Sequence, residues 1–135
     1  MDTKITKELP PKWIYDACVK QFGANFLKGD VFAGDNEIHC AYPELLPDDV
    51  VAHEELHMKQ HVQYGFKYWW EQYLEDPEFR LAQEIEAYQA QYQYMVEHYN
   101  SKHRKFLLKR IAHDLSGKLY GNLITFEEAK DAITS

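Results

Sequence analysis

His53-Glu54-Glu55-Leu56-His57, continued by Met58-Lys59-Gln60-His61, is the run from which the rest of this 135-residue chain is best understood. On a helix, side chains four apart lie one turn up and about 40° round from each other, so His53 and His57 can aim both imidazoles at one point. Glu54 follows about 100° round from His53. From there its carboxylate reaches a water held at that point without being a ligand itself. Two neutral nitrogens to hold Zn2+, with a carboxylate to take a proton from water, are what metal-assisted hydrolysis needs.

A solvated acidic helix is the ordinary alternative. Its context argues otherwise. Pro47-Asp48-Asp49 is a helix start with acids in the first turn. Val51, Met58 and Val62 form one apolar stripe, and His53, His57, Gln60 and Tyr64 form a second, so the helix is expected to be covered on two sides.

Composition bounds the rest. A chain of this length makes one domain that buries a core without disulfides. Its 45% hydrophobic and 15% aromatic content excludes disorder. A net charge of -7 argues against a general nucleic-acid binder. The one basic cluster (Lys102, Arg104, Lys105, Lys109 and Arg110) reads as a solvated helix face. Cys18 and Cys40 lack framework spacing and read as free thiols in a reducing, cytoplasmic setting. The first residues lack the apolar stretch of a signal peptide, and no run approaches membrane-spanning length.

Residues 1–11 read as a flexible polar arm ending in Pro10-Pro11. Residues 13–22 form a short amphipathic helix closed by Gly23. Residues 26–33 and 37–42 read as a hairpin with its turn at Gly34 to Asn36; Ile38, Cys40 and Tyr42 would face the core. One edge of such a sheet can pair with an extended peptide. The histidine helix is expected over 49–64, with Gly65 as a break. Residues 66–74 are strongly aromatic and read mainly as core, with some of them walling a cleft. Asp76-Pro77 opens a helix running to about Tyr99. Asn100-Ser101 breaks the chain, 105–115 is helical, and Thr125 to Glu128 is a capping box opening a last helix. The fold class is α+β, mostly α: helices gathered around the His53–His57 helix with a small hairpin or sheet beside it.

Two histidines need at least one further protein ligand and an open position. His61 is excluded, because it lies about 12 Å along the axis from His53; it is left as a supporting or surface group. The next helix carries the apolar stripe Leu81, Ile85, Tyr88, Tyr92, Met95 and Tyr99. Glu84 lies about 60° from the centre of that stripe, at its buried margin, and Glu86 about 140° away, toward solvent. A carboxylate at a buried margin needs a partner, so Glu84 is the favoured third ligand and Glu86 the alternative. Tyr88, one turn on, can support a ligand, hold an oxyanion, or be a core aromatic. His113 and Tyr120 are further candidates for the oxyanion role.

His53-Glu54-x-x-His57 with Glu84-x-x-Ala87-Tyr88 resembles the gluzincin pattern of zinc metallopeptidases, in which a second helix supplies a glutamate ligand. Tyr88 stands where that group commonly has Asp. The arrangement resembles minimal gluzincins, and residues 57–60, 79–88 and 119–123 are similar to small metallopeptidase-like proteins of bacteriophage genomes. The resemblance covers roughly residues 30–133. It implies a single zincin-like domain over 1–135, a Zn2+ cofactor on His53, His57 and Glu84, and Glu54 and Tyr88 as catalytic groups. It also implies a peptide or protein substrate, with no nucleic acid or membrane partner, in the host cytoplasm if phage-encoded. The alternative it leaves is a non-catalytic zinc-binding protein of the same fold, recognisable by a fourth protein ligand such as His61 or Glu86. An acidic helical adaptor without metal is the third expectation.

Overall fold

The computed structural model describes residues 3–23 and 31–135. Among these are six α-helices: α1 Lys12–Phe22, α2 Asp48–Tyr64, α3 Phe66–Glu75, α4 Pro77–His98, α5 Ser101–Leu115 and α6 Phe126–Thr134. Three short strands, β1 Lys4–Thr6, β2 Val31–Ala33 and β3 Glu37–Cys40, form a mixed sheet in the order β1-β3-β2. The fold is therefore α+β and mostly α, with the small sheet beside α2.

β2 and β3 pair antiparallel, with Ala33 opposite Ile38, so the turn falls on Gly34 to Asn36. The outer half of the expected first strand, residues 26–30, lies outside the described residues. Part of the segment read as a polar arm is instead β1, which pairs parallel with β3, Ile5 opposite Ile38. Backbone bonds to β3 order it, and local polarity could not predict that partner. Both faces of β3 are covered: Ile38, His39 and Cys40 are buried, while Tyr42, expected inward, is 58% exposed just past the strand end.

The helix boundaries follow local chemistry. Asp76 caps α4 by accepting from Glu78 N at 3.0 Å, with Pro77 in the first turn. Thr125 and Glu128 form the capping box of α6. Gly65 takes φ 90°, a conformation open to glycine, and separates α2 from α3. The chain breaks between α4 and α5 at Asn100 as expected, and Asn100 also caps α5, accepting from His103 N at 2.9 Å, so α5 begins at Ser101, four residues before the expected position.

Two apolar clusters form the core. One joins α4, α5 and α6 through Leu81, Met95, Leu108, Ile111, Leu115 and Ile133, and takes in the whole predicted stripe of α4. The other joins α1, β2 and α3 through Ile14, Cys18, Phe32, Trp69, Trp70 and Tyr73. Each fully buried side chain of this size contributes about 1.5–3 kcal/mol. Arg80, 3% exposed, ties the clusters together. It donates to Tyr73 O and Leu74 O at the end of α3 and to Leu119 O beyond α5, at 2.7, 3.0 and 2.7 Å. Those carbonyls are otherwise orphaned acceptors of a helix end and a tight turn.

α2 packs along α4 between these clusters, but not by the stripe that hydrophobicity suggests. Val62 is 86% exposed, and Val51 and Met58 are only partly covered. The buried face of α2 is polar: Asp49, His53, Glu54, His57, Gln60 and His61. It meets an equally polar face of α4, with Gln83, Glu84 and Gln91. Hydrogen bonding between the two faces makes that burial possible.

Candidate metal centre

His53 and His57 reach the same point from adjacent turns of α2, and Glu84 reaches it from α4. The two Nε2 atoms are 3.1 Å apart; Glu84 Oε1 is 3.1 Å from His53 Nε2 and 2.6 Å from His57 Nε2. All three residues are buried, at 6%, 4% and 6% exposure. The His53 ring lies edge-on to Tyr88, centroids 4.4 Å apart, and the His57 ring edge-on to Trp69 at 5.1 Å. Each imidazole thus leans on one of the two cores.

Hydrogen bonds determine which ring nitrogens are free. Gln91 gives its amide N to Asp49 Oδ2 at 2.7 Å, so its Oε1 faces His53 Nδ1 at 2.9 Å. Gln60 gives its amide N to Gln83 O and Glu86 Oε1, at 3.1 and 3.2 Å, so its Oε1 faces His57 Nδ1 at 2.8 Å. Both Nδ1 atoms must therefore donate, and in the neutral rings both Nε2 atoms present lone pairs. Glu84 Oε2 accepts from Tyr73 OH at 2.9 Å and Tyr120 OH at 2.8 Å, leaving Oε1 for the shared point. Three acceptors converge, and one proton can bridge only one pair of them. A metal cation satisfies all three, and the group is one that can hold such an ion.

Protons compete for the same place. Burial works against a charged His57, but the Glu84 carboxylate beside it, with smaller help from Glu54 and Gln60, raises it to about 9. Burial pushes Glu84 up, and the two histidines outweigh that, holding it well below the usual carboxylate range. Glu54 is also buried, its carboxylate 4.0 Å from His53 Nε2. Burial raises it above the ordinary carboxylate value, aided by Glu84 and opposed by His53 and His57.

The group opens to a cleft of about 670 Å3. Phe32 of β2 and Trp70 of α3 stand on its walls, with Arg110 and His113 of α5 and Lys118 of the following turn. A second hollow of about 380 Å3 shares His53, Glu54, Tyr88 and Arg110 with the first. Glu54 and Tyr88 therefore border both.

Of the residues singled out in the sequence, His53, Glu54, His57, Glu84 and Tyr88 are brought together. Glu86 points away from the three-atom cluster and accepts from Gln60, as its solvent-side position implies. His61 is not a surface group: it is 3% exposed and donates from Nδ1 to Gly34 O at 3.1 Å, among Phe66, Trp69 and Trp70. Burial lowers it to about 4, against the pull of the Gly34 carbonyl. Tyr120 is committed to Glu84, and His113 is exposed on the cleft wall. Trp69, Trp70 and Tyr73 serve both expected roles, core and cleft wall. Asp49, Tyr73 and Gln91 were missed. Gln91 was the most findable, seven residues and two turns beyond Glu84 on the same face of α4.

Comparison of the chain with known protein families, with curated proteins and with solved structures found no match. The chemistry of the centre is therefore read from its own atoms.

Proposed function

We propose that this chain is a zinc-dependent metallopeptidase of the minimal gluzincin type, with His53, His57 and Glu84 as the metal-binding groups. The observation that carries the reading is the convergence of three buried acceptor atoms beside the Glu54 carboxylate at the floor of an open cleft. When bound there, zinc would supply the positive charge that polarises a peptide carbonyl and acidifies water. Its borderline softness suits two imidazoles and a carboxylate.

The remaining chemistry belongs to the chain. Glu54, raised by burial, takes the proton of the attacking water and hands it to the leaving amine. Tyr88, lifted far above its ordinary value first by burial and then by Glu84, stays a hydroxyl donor, and its ring against His53 supports the reading that it steadies the developing oxyanion. Tyr73 and Tyr120 grip the far oxygen of Glu84 and orient it. A non-catalytic structural site would call for a fourth protein ligand; neither candidate for that place, His61 or Glu86, belongs to the converging group, and Glu86 accepts from Gln60 instead.

The test is a pair of variants assayed for zinc content and for cleavage of a peptide library. Glu54→Gln should retain zinc and lose hydrolysis by a factor of about 100 or more. Tyr88→Phe should retain zinc and lower kcat more than it raises KM. Undiminished cleavage by the Glu54 variant rules the mechanism out.

A further inference from the structure

Asp49 is a buried carboxylate that takes no part in the chemistry above. It sits in the first turn of α2 at 3% exposure. Its Oδ1 accepts from Tyr99 OH at 2.8 Å and its Oδ2 from Gln91 Nε2 at 2.7 Å. Gln91 in turn accepts from His53 Nδ1 at 2.9 Å. The Asp49 carboxylate is thus two hydrogen bonds from a metal-binding ring, and its own bonds go to Gln91 and Tyr99 rather than to any of the three ligands.

A glutamine side chain is ambidextrous: turned over, it offers NH2 where it had offered oxygen. Facing His53 that way, Gln91 would require a bare Nδ1, and the ring proton would move to Nε2. Nε2 is the atom aimed at Glu84 and His57, and protonated it cannot bind a metal. An acceptor at the far end of Gln91 is what prevents the turn, and an ionised carboxylate can only accept. The second ring is secured differently. Gln60 is held by the backbone carbonyl of Gln83 as well as by Glu86, so no single side chain controls it. Among the described residues, the acceptor that holds the Gln91 amide is Asp49.

We infer that Asp49 is a positioning residue for the metal centre: it fixes the orientation of Gln91 and so keeps His53 Nε2 available to the ion. This rests on the proposal that the centre binds zinc. The experiment is competition for Zn2+ between the full-length protein and a chromophoric chelator, with the fold followed by circular dichroism.

Asp49→Ala should weaken zinc binding roughly 10–100-fold. Asp48→Ala, which removes the same charge from the same helix turn, should not change it. In Asp49→Ala/Gln91→Glu, position 91 can only accept, and affinity should return to near that of the unaltered protein. Asp49→Asn keeps the fold's shape if the alanine variant does not fold; since its amide can offer either end, it should lose roughly threefold or more. Unchanged affinity in both Asp49 variants, in a protein that binds zinc, overturns the inference and leaves the centre standing. So does a loss that Gln91→Glu fails to restore. Failure of the unaltered protein to bind zinc overturns both.

Discussion

At the scale of single residues, the group that could hold a metal ion is also a place where protons gather. In the metal-free protein His57 sits at about 9, against an ordinary 6.5, because the Glu84 attraction exceeds the cost of burial. A folded-state value raised in this way stabilises the fold fully below pH 6.5, and the contribution is lost as pH climbs toward 9. His61 runs the opposite way. Buried and lowered to about 4, it imposes no penalty above pH 6.5 and an increasing one as pH falls toward 4. The metal-free protein should therefore melt at its highest temperature near pH 6.5, with falling limbs on both sides. Zinc should abolish the alkaline limb alone, since a liganded His57 has no proton to lose. Melting curves from pH 4.5 to 9.5, with and without zinc, measure both limbs; an alkaline limb that survives saturating zinc contradicts the assignment of His57.

At the scale of elements, α4 does two jobs on two faces. Its apolar stripe enters the α5–α6 core, and the face carrying Gln83, Glu84 and Gln91 meets the polar side of α2. The precision of that second contact depends on Arg80, which gathers the end of α3 and the turn that carries Tyr120. Tyr73 and Tyr120, the two donors to Glu84, sit on these tethered segments. Arg80→Met should cost about 3 kcal/mol of stability, the order expected for charged hydrogen bonds to buried carbonyls. It should also weaken zinc binding, although Arg80 touches no ligand. Denaturant unfolding combined with zinc titration checks the pair. A loss of stability with unchanged affinity would show that the tyrosines keep their places without it.

At the scale of the whole molecule, the centre lies between two apolar clusters that have no described residue in common, so an ion at their junction would act as a staple. Removing it with a chelator should cost about 4 kcal/mol when free zinc had stood at roughly 1,000 times its Kd. For a domain of this size that is a fall of more than about 10 °C in Tm. The drop should scale with the logarithm of zinc concentration; a Tm indifferent to zinc excludes a site that spans both clusters. No described helix is long and apolar enough to cross a membrane. Cys18 and Cys40 are both buried.

The spacing of His53, Glu54 and His57, the stripe of α4, the Asp76 and Thr125 caps and the turn at Gly34 were legible because each depends on neighbours within one or two helical turns or one hairpin. Glu84 could be chosen over Glu86 for the same reason: the angle to its own stripe is local information. Of the buried face of α2, the stripe of His53, His57 and Gln60 was legible, while Val51, Met58 and Val62 misled and Asp49, Glu54 and His61 were not read as buried, because hydrophobic periodicity does not register a polar face whose partners on α4 lie 23 or more residues away. β1 likewise needed β3 to become a strand. Asp49, Gln91, Tyr73 and Arg80 acquired their places only when α2, α3 and α4 packed, since a hydrogen bond between elements is decided by which faces meet and at what height. Sequence determined which atoms were available to hold an ion. Tertiary packing decided that three of them would converge, and with which lone pairs free.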